Sequence, residues 1–134
     1  MDINLIEAMI SAVIRSATPL LLLGLGIIIS ERAGILNLGQ EGMLTCGAVA
    51  SFLTMLATGS FSISILAAIA AGASLSCVFM TPVLVLHTNQ VATGLALTIL
   101  GLGTAALAGN PYAGESISAY QVCLLYTSPS PRDS

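Results

Sequence analysis

The sequence predicts an all-α integral membrane protein with about four apolar helical segments, and three observations predict it. Hydrophobic residues make up 56% of the chain and charged residues 7%, whereas a soluble surface wants roughly a quarter of its residues charged. No Asp, Glu, Lys or Arg occurs from Gly42 to Gly114. The apolar runs are punctuated by short polar breaks, at spacings that suit helices crossing roughly 30 Å of hydrocarbon. The bilayer is the solvent that suits most of this chain.

The first segment opens with Ile3, Ile6, Met9, Ile10, Val13 and Ile14 at helical spacing, mixed with Asp2, Glu7 and Arg15. It continues into PLLLLGLGIII, Pro19 to Ile29, which alone is too short to span and so borrows residues from near Ala8 onward. Arg15 then snorkels as an anchor. Acidic residues ahead of Arg15 and the lack of an Ala-x-Ala site after Ile29 argue against a cleaved signal. Residues 30–34, SERAG, read as the first polar break, with Glu31 and Arg32 a solvated loop pair.

The second apolar segment runs over about 38–57 and stops at Thr58, Gly59 and Ser60, a turn signal. The third, 63–86, carries no charge and would make ~36 Å of helix at 1.5 Å per residue. Within it the small residues Ala68 and Gly72 predict a close helix approach. Pro82 predicts a kink. Residues 87–90, HTNQ, form the second break, and Asn89 or Thr88 caps a fourth helix over 90–108. His87 reads as an interfacial side chain, Gly101 and Gly103 as a further close contact or a flexible point, and 110–121 as a loop or helix end.

The residue that most needs a reason is Glu41, because an ionisable group near a bilayer centre costs roughly 2.5–3.5 kcal/mol. It must face protein or water. The local spacing predicts a helix start with Asn37 as N-cap, Gln40 at the third helical position and Glu41 in the first turn. Gly39 and Gly42 make the same place easy to unwind. Two readings follow: an interfacial cap with Glu41 in the headgroups, or a helix that starts inside the membrane and lines a polar cavity, as broken helices do in transporters.

Other chemistry is sparse. A formal charge of −3 offers no basic face, which excludes nucleic acid binding. Cys46, Cys77 and Cys123 lack any CxxC or Cys/His spacing for a metal, so Cys46 and Cys77 read as small apolar packing residues. Glu41 has no second carboxylate or Ser/His pair near it in sequence, which argues against an intramembrane enzyme.

The run ERAGILNLGQEGMLTCGAVASF (Glu31 to Phe52), followed by NQVATGLALTILGLGTAALAG (Asn89 to Gly109), resembles permease subunits of bacterial ABC importers. The branch is that of simple sugars and nucleosides, related to ribose and branched-chain amino acid permeases. The resemblance implies a multi-pass subunit of the bacterial inner membrane, in contact with membrane lipids, that moves nucleosides or simple sugars. Branched-chain amino acids are the alternative substrate. It implies as partners a second permease subunit, a cytoplasmic ATP-binding subunit and an extracytoplasmic solute-binding protein. ATP chemistry would then belong to a partner, and this chain, which has no GxxxxGK[ST] loop, would be no enzyme and hold no cofactor.

Carried onto matching positions, the resemblance implies that Asn37, Gln40 and Glu41 line or brace the translocation path, with Asn89 and Gln90 as second candidates. The family's later ATPase-docking segment, with its RAVGENPxAA-like pattern, has no counterpart in these residues. Residues 123–133, CLLYTSPSPRD, resemble the translation of a sequencing-library adapter. The expectation is therefore that residues 1–122 are the N-terminal part of a larger permease domain, that 123–134 are read-through, and that the chain alone is inactive. The rival from another class is a small self-assembling helix bundle or pore, favoured by the short length and the small-residue faces.

Overall fold

The computed structural model describes residues 2–115; the adapter-like stretch and the end of the 110–121 loop lie outside the described residues. Among the described residues, four helices are long and apolar enough to cross a membrane. They are α1 (Ile3–Arg32), α2 (Gln40–Thr58), α3 (Phe61–Met80), which runs on through a π-helical turn (Thr81–Val85), and α4 (Gln90–Gly109), followed by a short 3-10 turn (Asn110–Tyr112). No strand occurs among the described residues.

α1 runs further than the polar break suggested. Ser30, Glu31 and Arg32 form its last turn rather than a loop, because Ser30 Oγ donates to Gly26 O at 3.0 Å and leaves the helical ladder intact. The chain turns only at Gly34, where φ is +83°, a left-handed conformation that glycine adopts freely. At ~45 Å for 30 residues, α1 exceeds the hydrocarbon thickness, and it buries none of its residues against the other helices. A long helix whose middle is this apolar and unburied is one solvated by lipid or by further helices.

α2 also starts later than its capping pattern predicts. Its N-cap is Gly39, with no side-chain cap bond, so Gln40 is the first helical residue, not the third, and the capping box is not formed. Asn37 is instead spent on a tight turn just before the helix: its Oδ1 accepts from Gly39 N at 2.9 Å. Asn is well suited to such a turn because its side chain imitates a backbone carbonyl. Glu41 does lie in the first turn.

The π-helical turn sits where Pro82 removes a ladder donor and crowds the turn before it. Pro82 O then gathers donors from Leu86 N, Thr88 N and Thr88 Oγ1, at 3.2, 3.3 and 3.0 Å. His87 is exposed with φ 50°, a left-handed value that turns the chain sharply into α4. Asn89 caps α4, its Oδ1 accepting from Val91 N at 2.9 Å, as the amide at the head of the apolar run predicts.

α2 is the central element, packed on α3 along one side and on α4 along another. α4 runs parallel to α2, since Gly39 and Gly42 meet Leu97 and Thr98 near their starts and Val49 meets Gly109 further along. The close approach to α3 falls at Gly47, where a Cβ would stand 3.4 Å from Ala68 O. Gly72 faces open space, so the predicted Ala68/Gly72 surface holds at Ala68 alone; likewise Gly101 is in close contact and Gly103 is not. Cys77 is exposed, and Cys46 does more than pack: its Sγ donates toward Gly101 O at 3.2 Å and lies 3.3 Å from Thr104 Oγ1.

The small core consists of Phe79, Val83 and Leu97, with Ile35, Met43 and Leu75 against it. It therefore lies directly under the α1–α2 loop. Ile35 pins that loop to the end of α3 and the middle of α4, and this placement positions the site described next.

Candidate functional site

A cavity of about 620 Å³ opens between α1, α2 and α3, within the range of small-molecule sites. From α2 it is lined by Gln40, Met43, Leu44, Gly47, Ala48 and Ser51, which recur at the spacing of one helix face. α1 contributes Leu22, Leu23, Gly26 and Ser30, α3 contributes Ala68, Ile69 and Ser76, and the loop before α2 contributes Asn37. The wall is apolar with uncharged amides and hydroxyls set into it. No residue of formal charge lines it.

Gln40 is the distinctive member. It is 9% exposed, and no described residue takes its side-chain amide in a hydrogen bond. A buried amide is usually paired, because leaving it unsatisfied costs about 1–3 kcal/mol. Among the described residues no side-chain polar atom is both fully enclosed and unpaired, so the Gln40 amide keeps access to the cavity it lines. It is held at the head of α2 with a donor and an acceptor that no described residue takes.

Asn37 is fixed from both ends. Its Oδ1 takes the Gly39 N–H at 2.9 Å, and its Nδ2 points to Met43 Sδ at 3.6 Å. Ser76 Oγ approaches the same sulfur at 3.5 Å from α3, while lying 3.0 Å from Gly72 O. Met43 thus joins the loop, α2 and α3 at the cavity wall. The remaining N–H of Asn37 and the lone pairs of Ser30, Ser51 and Ser76 are available to a polar solute.

The other expected residues fall elsewhere. Glu41 is exposed; one residue on from Gln40 it is turned about 100° around α2 and lies outside the cavity wall. Asn89 is the cap of α4. Gln90 reaches across to the loop, its Oε1 accepting from Leu36 N at 2.8 Å. Asn37 and Gln40 are therefore brought together on the cavity, whereas Gln90 stands behind the loop that carries Asn37 and Asn89 stays at the head of α4.

Sequence reasoning passed over Ser30, Met43, Ser51 and Ser76. The spacing Gln40, Met43, Gly47, Ser51 was a usable signal, a polar and small stripe along one face of α2. Ser30 and Ser76 carried none, since each lies on a different helix and only the packing brings it to α2.

Residues 9–131 match the family described as branched-chain amino acid transport system / permease component. Among curated proteins, the chain is 41% identical over 112 residues to a provisionally assigned glucose ABC transporter permease protein of Haloferax volcanii, covering 84% of this chain and 34% of the relative. It is 36% identical over 110 residues to a guanosine ABC transporter permease protein of Bacillus subtilis, covering 77% and 34%. A nucleoside ABC transporter permease protein of Lactococcus lactis is 30% identical over 104 residues, covering 73% and 33%. The chain spans about a third of the length of these relatives. No solved structure matches.

Proposed function

The chain belongs to the family of branched-chain amino acid transport system / permease components, and from that premise we propose that it forms part of the membrane path of an ABC importer for a nucleoside or simple sugar. The importer sits in the bacterial inner membrane as a multi-pass assembly. Its other parts are a second permease subunit, a cytoplasmic ATP-binding subunit and an extracytoplasmic solute-binding protein. This chain supplies path and not hydrolysis.

The observation that carries the reading is the side-chain amide of Gln40, a largely buried residue, which no described residue takes in a hydrogen bond and which lines the 620 Å³ cavity. A transported solute must be recognised without being held tightly. Neutral amides and hydroxyls suit this, because each bond to a neutral donor or acceptor contributes only about 0.5–1.5 kcal/mol net. Asn37 and Gln40 offer both donors and acceptors to sugar hydroxyls, and the apolar wall of Leu22, Leu23, Leu44 and Ile69 suits a ring face. Glu41 flanks this path in the first turn of α2, facing water or neighbouring protein; Asn89 and Gln90 brace it.

The same wall argues against a branched-chain amino acid as substrate. A zwitterion carries a carboxylate and an ammonium group, and each asks for a charged or strongly polarised partner on leaving water. Such a partner is absent from the lining residues. The relatives' names point the same way, two to nucleosides and one to glucose.

The test is uptake by the assembled importer in right-side-out vesicles loaded with ATP, with labelled guanosine, glucose and leucine offered separately. Uptake of guanosine or glucose, reduced by Gln40→Leu, is the expected result. Uptake of leucine alone would overturn the neutral-solute reading.

A further inference from the structure

The loop between α1 and α2 is a stretch of non-helical backbone in a chain otherwise built for lipid, and its backbone groups need partners wherever water is scarce. α4 provides them. Leu36 N donates to Gln90 Oε1 at 2.8 Å. Thr98 Oγ1 lies 2.8 Å from Leu38 O and 3.1 Å from Gly94 O, so its single hydrogen is directed at the loop with the intrahelical carbonyl as second acceptor. Between them, Gly94 lets the loop backbone touch α4, since a Cβ there would stand 2.8 Å from Leu38 N.

Residues 90, 94 and 98 are one helical turn apart and share a face. They make a cradle with a hydrogen-bonding side chain at each end and bare backbone in the middle. Neither Gln90 nor Thr98 lines the cavity, yet the segment they hold carries Asn37 and leads directly into Gln40.

We infer that Gln90 and Thr98 are positioning residues, which hold the Leu36–Gly39 backbone against α4 and thereby set where the Asn37 and Gln40 amides stand over the cavity. This rests on the proposed function only for its transport consequence; the clamp itself is a statement about the fold. It also accounts for the second sequence block. The run opening at Asn89 serves to hold the first block in shape.

The experiment has two arms. In the first, amide exchange of Leu36 is measured on the chain in lipid nanodiscs. Gln90→Leu removes the acceptor and is expected to speed Leu36 exchange by about tenfold or more while amides within α3 keep their rates. Gln90→Glu keeps an acceptor oxygen and is expected to retain protection. An unchanged Leu36 rate in Gln90→Leu overturns the clamp.

In the second arm, Thr98→Val, Thr98→Ser and Gln90→Leu are placed in the assembled importer. Thr98→Val and Gln90→Leu are expected to raise KM for guanosine or glucose about tenfold with the maximal rate changed less than twofold, and Thr98→Ser to restore KM. Faster Leu36 exchange with KM unmoved overturns the positioning role. An importer that moves neither solute overturns the proposed function alone, because the exchange arm is read without transport.

Discussion

Gly42 of α2 and Gly101 of α4 meet backbone to backbone: a Cβ built on Gly101 would stand 2.6 Å from Gly42 Cα and 2.7 Å from Gly42 O. In lipid there is little hydrophobic drive between helices, so close contact of this kind and the polar bonds it permits hold the pair together. Cys46 and Thr104 lie beside the contact and share the Gly101 carbonyl, at 3.2 and 3.1 Å. This seam keeps α2 and α4 in register, and with them the loop and the cavity.

Gly101→Ala is accordingly expected to destabilise the α2–α4 pair by about 1–3 kcal/mol, the usual cost of overpacking. Gly72→Ala, where nothing lies within 4 Å, is expected to be neutral or to stabilise by up to about 1 kcal/mol through helix propensity. Reversible unfolding in mixed micelles, followed by circular dichroism, checks both. Equal stabilities would remove the seam from the account.

Gln40→Leu keeps much of the volume of a side chain that is 9% exposed and removes its free amide. Uptake by the assembled importer is expected to lose about 10- to 100-fold in kcat/KM, in line with one or two lost hydrogen bonds to solute. Glu41→Gln is expected to cost less than this and more than Glu31→Gln, because Glu41 sits beside Gln40 at the head of α2 while Glu31 lies in the exposed last turn of α1. Uptake in which Glu31→Gln is the most damaging of the three would contradict the placement of the path.

Asn89→Ala removes the side-chain oxygen that takes Val91 N at 2.9 Å. The loss is expected to be about 1 kcal/mol, typical of a cap, with amide exchange accelerated at Val91 and unchanged in the middle of α2. Asn89→Asp or Asn89→Ser should recover most of it, which amide exchange on the same preparations would reveal.

Phe79 is 2% exposed and sits with Val83 and Leu97 against Ile35. Phe79→Ala is expected to cost about 3–5 kcal/mol and to loosen the loop, read as faster exchange at Leu36 together with the drop in stability. Phe79→Leu should retain most of both. A large loss of stability with Leu36 still protected would separate the core from the loop.

How far each feature was legible depended on the range of the interaction behind it. The end of α2 and the start of α4 were readable to within a few residues, because Gly59 and Asn89 act on their own neighbours: Gly59 ends α2 at φ +66° and the Asn89 side chain takes Val91 N. Pro82 likewise announced its irregular turn. The start of α2 was misread because Asn37 has two local uses, capping a helix or closing a turn, and sequence cannot rank them. The choice was made by Gln90 and Thr98, more than fifty residues away, which hold the turn in place.

The sequence by itself determined that this is a helical membrane protein, since composition and the uncharged run from Gly42 to Gly114 act through transfer energies that need no fold. It also carried the resemblance to the permease family, which the match over residues 9–131 bears out. Only the tertiary structure decided which polar residues face one cavity, that Gln40 stands there with no partner among the described residues while Gln90 is engaged with Leu36, and which glycines are contacts. A cavity wall is assembled from several helices, and the rotation of each is fixed by close packing at points such as Gly42 and Gly101, where the identity of one residue has meaning only through the other.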